Sequence, residues 1–238
     1  MIPVTLPPEP DNFDERVRRE GLAHLQEQGK DPDEIAPRAL FTMKRIMSNG
    51  GERSCEYWQL AREDLRQAYH NRCVYSCFQI EVETLASGET VSMHAIDHFS
   101  PIRLSPARLA FEWSNLRWAW GIIDNHKGNS LIPGDHDPTR LQADSLILSE
   151  DPSGLLIVAP NPSLPSAEQA RLTDTVAKLG LNHTAVVLAR SACRDDFIAS
   201  ADLYGHAFML ARQPFVYQFI FQSAEDRLDQ SSRAAGSS

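Results

Sequence analysis

The chain has 238 residues, 42% of them hydrophobic, and a formal charge of −9. That length accommodates one good core with an appended layer, and no apolar run approaches the roughly 18 residues that span a bilayer, so no membrane contact is expected. The acidic balance excludes a nucleic-acid binder that works through net charge, leaving a local basic groove or a partner that delivers the substrate. The opening MIPVTLPPEPDNFDERVRRE is proline-rich and then charged, unlike a secretion signal, which predicts a soluble cytoplasmic protein. In that compartment Cys55, Cys73, Cys77 and Cys193 are expected as free thiols. Only Cys73 and Cys77 are close, and their x3 spacing is not the x2 of a zinc knuckle.

Residues 1–11 carry four prolines and predict an extended arm. From Asn12, the loose recurrence of Phe13, Val17 and Leu25 predicts a helix, with Gly21 weakening its centre. Leu40, Met43 and Met47 recur at i, i+3, i+7 and predict a second helix within 37–47, stopped by SNGGE. In CEYWQLAREDLRQAYHNR, Trp58, Ala61, Leu65 and Ala68 share one face of an amphipathic helix. Its Arg62 and Arg66 lie near the polar side, where a solvated face is favoured over phosphate contact. CVYSCFQIEVETL and TVSMHAIDHF then read as two strands of a hairpin turning at 86–89. SPIRLSPAR is a loop held open by Pro101 and Pro106, and a helix is expected to resume from about Leu116.

Beyond a loop at Pro133 and Gly134, SLILS and LLIVA predict another hairpin around 150–154. Pro160, Pro162 and Pro165 stiffen the connection to a helix over AEQARLTDTVAKLGL, with Leu172, Val176 and Leu179 inward and Ser166 with Gln169 as a capping box. HTAVVLARSACRDDFIASADLY predicts a long helix and HAFMLARQPFVYQFIFQ a last one broken near Pro214, with a disordered polar tail. Four segments follow: an N-terminal arm and helices at 1–68, a central unit at 69–130, a C-terminal hairpin and helical region at 131–222, and the tail at 223–238. The fold class is α+β.

The chemistry concentrates in 92–128. Phosphodiester hydrolysis needs a base for water, a divalent cation for the developing charge, and a scaffold that fixes both. An acid and a histidine on a strand can face an acid on a following helix across one metal-sized gap. Asp97 and Asp124 are the carboxylates here, and His98 is the natural base, because imidazole is largely neutral at pH 7. Carboxylate ligands suit Mg²⁺ or Mn²⁺ better than a soft metal.

Asp97-His98-Phe99-Ser100-Pro101, Trp113-Ser114-Asn115-Leu116 and Asp124-x-x-Lys127-Gly128, preceded by Cys73-Val74-Tyr75-Ser76, resemble the HNH endonuclease family, the ββα-metal nucleases. The resemblance covers about 69–129 and lies nearest the branch containing the HNH subunit of the Septu antiphage pair and the HNH proteins encoded beside retrons. It implies a ββα-metal core in a mainly helical protein, His98 as general base, Asp97 and Asp124 as metal ligands, and Asn115 as a brace for the loop that positions His98. It further implies Lys127 as a phosphate contact and Trp113 packed beneath the loop. Ser76 replaces that branch's second cysteine, and Trp120 and Ile123 stand where its other pair would be. A structural zinc is therefore not expected, and Trp118, Trp120, Ile122 and Ile123 are expected to pack in its place. If the helix is shifted by one residue, the second ligand is Asn125 rather than Asp124.

Other histidines carry open readings. His94, four residues before His98 on a strand, shares its side as a substrate contact or a packed ring. His126 either helps the metal or lies exposed at a helix end, and His70, His136, His183 and His206 read as structural. Arg190 and Arg194 form a phosphate-facing stripe or, more plainly, a helix surface paired with Asp195 or Asp196. The implied function is a metal-dependent endonuclease that cuts DNA, with RNA also open, serving as an antiphage effector beside an ATPase or sensor protein. The alternative is an inactive HNH-fold subunit that binds nucleic acid or assembles with partners.

Overall fold

The structure, a computed structural model, describes residues 1–46, 52–80, 82–84, 90–200 and 205–221, with 44–46, 52–53, 82–84 and 90–92 described by backbone alone. Its antiparallel hairpins pair β1 (Thr42–Ile46) with β2 (Glu52–Glu56), β3 (Val82–Thr84) with β4 (Thr90–Ser92), β5 (His94–His98) with β6 (Leu116–Trp120), and β7 (Leu146–Glu150) with β8 (Leu156–Pro160). The α-helices are α1 (Glu20–Glu27), α2 (Arg62–Ala68), α3 (Gly121–Lys127), α4 (Ser166–Lys178), α5 (Thr184–Ala199) and α6 (His206–Arg212). The expected mixture of helices and small antiparallel sheets is present. No described helix is long and apolar enough to cross a membrane. Buried side chains from 1–68, 69–130 and 131–221, Phe13, Phe111 and Leu172 among them, join one apolar cluster.

The arm is extended as its prolines require, and it is pinned: Val4 N–H donates to the Pro138 carbonyl at 2.9 Å and the Trp113 indole to the Pro7 carbonyl at 2.8 Å. Phe13, Val17, Gly21 and Leu25 are buried along a helix that begins as a π-helical stretch over Asp14–Arg19 and continues as α1. Gly21 is a close-approach position, because a Cβ there would sit 2.5 Å from the ring of fully buried Phe111. Gly21→Ala gains up to about 1 kcal/mol of helix propensity. The ring is fully buried against Phe41 and Tyr57, so it shifts only by disturbing them, and overpacking costs about 1–3 kcal/mol. The expected result is a lower urea midpoint, and a raised midpoint would mean the ring relaxes freely.

The helix expected within 37–47 is not formed. A 3₁₀ turn covers Arg38–Phe41, and Thr42–Ile46 then runs against Glu52–Glu56, from Thr42 opposite Glu56 to Ile46 opposite Glu52. Three apolar residues in so short a run fit a strand as well as a helix, and backbone pairing decides. Met47 and the turn at 47–51 lie outside the described residues. The next helix is shorter than its pattern: β2 takes its start, a 3₁₀ turn covers Tyr57–Ala61, and α2 completes it, with Trp58, Ala61 and Leu65 buried as expected.

Of the two strands expected around 86–89, the ends nearest the turn pair as β3 and β4, and 85–89 lie outside the described residues. Residues 73–77 form a tight loop instead, closed by Cys77 N–H to the Cys73 carbonyl at 2.9 Å with Cys77 at φ 64°. Strand β5 pairs with β6, placing Ile96 opposite Trp118, Asp97 opposite Arg117 and His98 opposite Leu116. The helix expected from about Leu116 therefore starts at Gly121. Leu116, Arg117, Trp118 and Ala119 are all buried, and a run covered on both faces has no period to separate strand from helix.

The β7–β8 hairpin is as expected, its turn held by Asp151 Oδ1 accepting from the Ser153 and Leu155 amides, with Gly154 at φ 80°. Helix α4 buries Leu172 and Val176. Its capping box does not form: Pro165 holds the N-cap position, and Gln169 Nε2 donates to the Leu164 carbonyl at 2.7 Å. His183 caps α5 by accepting the Ala185 amide. After α6 the chain is helical again over 214–221, and the tail lies outside the described residues. Arg194 pairs with Glu150 and Asp195. Arg190 is not on a surface; it is buried and donates to the carbonyls of Leu156 and Leu181, tying β8 to the turn before α5.

Candidate active site

Helix α3 lies on the β5–β6 hairpin. Asp124 and Lys127, three residues apart, share the helix face that meets the strands, and both reach Asp97. Lys127 Nζ donates to Asp97 Oδ1 at 2.8 Å and to the His98 carbonyl at 2.6 Å, with no side-chain surface exposed. Tyr75 Oη donates to the other oxygen, Asp97 Oδ2, at 2.5 Å. Burial first, then the charge of Asp97, push Asp124 up to about 7.

His98 ends β5 with its ring edge-on to Trp58, centroids 4.6 Å apart, and Nε2 3.2 Å from the Ala110 carbonyl. A carbonyl only accepts, so Nε2 carries the hydrogen and Nδ1 keeps its lone pair. Burial outweighs the charge of Asp97 and holds His98 down to about 4, leaving a neutral imidazole at pH 7. Asn115 closes the loop between the strands. Its Oδ1 accepts the Ser100 amide at 2.7 Å, and its Nδ2 donates to the carbonyls of Ser100 at 3.1 Å and Leu109 at 2.9 Å. Leu109 adjoins Ala110, so these bonds fix the imidazole through its carbonyl partner. Asn115→Ala strands three buried or half-buried backbone groups and is expected to cost about 2–4 kcal/mol in urea unfolding. A loss below about 1 kcal/mol would mean that water replaces the amide.

These groups open on one polar cleft of about 500 Å³, lined by Asp97, His98, Asp124, His94, Asn125 and Trp58 among others. His94 stacks on Trp118 with centroids 4.3 Å apart, and burial, then Arg62, lowers it to about 4. Asn125 is exposed at the edge. Two expected site residues stand elsewhere. Lys127 does not face a phosphate: its place on the inward face of α3 sends the ammonium onto Asp97. His126, one residue earlier, turns out of the cleft, with its ring 4.6 Å from that of His183 and packed so closely over Gly180 that a Cβ there would lie 2.6 Å away. Tyr75 and Trp58 are additions. Tyr75 was visible only as a motif position, and Trp58 only as a core-facing aromatic.

Lys127 balances Asp97, so the Asp124 carboxyl carries an uncompensated negative charge once it ionises, and hard oxygen donors suit an ion of the Mg²⁺ or Mn²⁺ type. Asp97 and Asp124 fit such an ion on that ground; each Asp97 oxygen takes one hydrogen bond and retains a lone pair. The thiol of Cys73 is buried, which keeps it protonated. A separate trio, Asp135, His136 and Glu168, brings three ligand atoms within 4.8 Å of one another. Arg171 already pairs with both acids, and the His136 ring lies between Thr175 Oγ1 at 2.7 Å and Glu168 at 3.0 Å. The guanidinium supplies the cation there, and the network ties the 3₁₀ turn Gly134–His136 to α4.

Compared with known proteins, the chain matches no family model, no curated protein and no solved structure.

Proposed function

We propose that the chain is a metal-dependent endonuclease of the HNH type, with His98 as general base and Asp97 and Asp124 as ligands of one Mg²⁺ or Mn²⁺ ion. One observation carries this reading: a hairpin and the helix that follows it bring an acid pair and a neutral, carbonyl-oriented imidazole onto one polar cleft. Nδ1 of His98 accepts the proton of an attacking water, while Trp58 and the Ala110 carbonyl keep the ring from turning. Tyr75 and Lys127 hold the Asp97 carboxylate from both oxygens, so it loses little freedom on taking up a ligand. When bound, the ion neutralises charge on the phosphate and its leaving oxygen. The test is supercoiled plasmid incubated with Mg²⁺ or Mn²⁺ beside His98→Ala. Cutting by the parent alone supports the reading, and cutting that survives the substitution rejects it.

An antiphage effector role, with an ATPase or sensor protein as partner, follows from the same motif resemblance. The charge of −9 fits a substrate that a partner helps to deliver. An ATPase or sensor encoded alongside would support it, and an isolated gene would count against it.

The second reading is a non-catalytic subunit that binds nucleic acid or assembles with partners, and one observation favours it. Lys127 already sits on Asp97 as a cation. Calorimetric titration with Mn²⁺ separates the two: uptake lost in Asp124→Asn belongs to an enzyme, and no uptake with DNA binding retained belongs to the subunit.

A further inference from the structure

The cleft does not end at the acid pair. Arg38 and Arg103 line it, and the same two side chains line a second hollow of about 470 Å³ with Ile35, Ala36 and Pro37. Both arginines therefore border the cleft and the hollow alike. They come from different parts of the chain, Arg38 from the 3₁₀ turn before β1 and Arg103 from the loop between β5 and β6. Arg38 gives one donor to Glu56 Oε1 at 2.9 Å and has others to spare, its side chain 59% exposed. Arg103 is exposed and has no ion pair among the described residues. In a chain of charge −9, these are two exposed cationic side chains beside the candidate site. Next to it Ile35 holds an apolar side chain 61% in solvent.

We propose that the hollow is a subsite for the nucleotide next to the scissile phosphodiester, with Arg38 and Arg103 gripping the flanking phosphate and Ile35 and Pro37 carrying its sugar or base. This rests on the nuclease reading of the cleft. A guanidinium presents paired N–H donors that match phosphate oxygens, and two of them approaching from separate elements fix where that phosphate lies. An apolar floor beside the pair suits the uncharged face of a nucleoside. The substrate is then a polynucleotide strand, because a single diester would leave the two arginines unused and forgo binding energy away from the reacting phosphate.

The experiment measures binding of a fluorescent single-stranded DNA of about 12 nucleotides to the His98→Ala protein in EDTA, so that no cutting is required. Arg38→Ala and Arg103→Ala, each added to that background, are expected to weaken binding about tenfold, the scale of one charged hydrogen bond. Each is also expected to flatten the dependence of log affinity on log salt by about 0.7. Ile35→Ser is expected to weaken binding a few-fold with the salt dependence unchanged. Arg171→Ala, on α4 among Asp135 and Glu168, is the control for net charge and is expected to stay within about twofold. Binding unaltered by both arginine variants, or lowered as much by Arg171→Ala, overturns the subsite. Plasmid left uncut by the parent protein while the arginine pattern holds overturns the nuclease reading and leaves Arg38 and Arg103 as a strand-binding site without a scissile bond beside it.

Discussion

Replacing His98 with alanine is expected to lower plasmid cleavage at least about a hundredfold, the range in which a positioned proton acceptor contributes. His98 is 8% exposed and its ring is fixed by Trp58 and the Ala110 carbonyl, and a water in the vacated space is a far weaker proton acceptor than an imidazole nitrogen. The same burial links His98 to stability. Its pKa is lowered to about 4 in the folded chain against 6.5 when unfolded, so between those values the unfolded chain binds the extra proton and stability falls as pH falls. Asp124 is shifted the opposite way and offsets part of this in the metal-free protein, because a carboxyl raised on folding favours the fold as pH drops through 7. Comparing wild type with His98→Ala in EDTA removes that common contribution. The stability advantage of the histidine is expected to shrink by about 2 kcal/mol between pH 7 and pH 4.5, read from urea midpoints. An advantage unchanged across that range would mean the imidazole is not held neutral.

Lys127→Met is expected to destabilise the protein by about 3–5 kcal/mol, because it leaves the Asp97 carboxylate buried with its counter-charge removed. The pair is nearly solvent-free, with 0% of the Lys127 side chain and 4% of the Asp97 side chain exposed. Such a loss is a large part of the roughly 5–15 kcal/mol that holds a domain folded. Urea denaturation at pH 7 measures it, and combining Lys127→Met with Asp97→Asn should recover part of the loss, since the second change removes the stranded charge. A cost below about 1 kcal/mol, together with weaker DNA binding, would restore the lysine to the cleft surface. Tyr75→Phe takes only one donor from Asp97 and is expected to cost less, about 1–2 kcal/mol.

Much of the candidate site could be found by reading the chain. Asp97, His98, Asn115 and Asp124 lie within 28 consecutive residues, 97–124; chemistry singled out the two acids and the histidine, and the motif resemblance added Asn115. The β7–β8 hairpin and helices α4 and α5 were equally legible, because turn residues bound them and one face of each alternates or recurs at the right period. Legibility failed where a segment is buried all round or too short to carry a period. Leu116–Trp120 reads as helix or strand until β5 lies beside it, and the 42–46 run takes its form from 52–56.

The order of chemical groups along the chain, and the acid-histidine-acid set they compose, belonged to the sequence, because which atoms can accept a proton or hold a cation is a property of residue type. Direction and depth belonged to the tertiary structure. Neighbours Lys127 and His126 end in different surroundings on one short helix, one buried on Asp97 and the other against Gly180 and His183. Arg190 and Arg194, spaced to share a helix face, end one in the core and one at the surface. A side chain's surroundings come from segments far away in the chain, and only packing brings those segments to it.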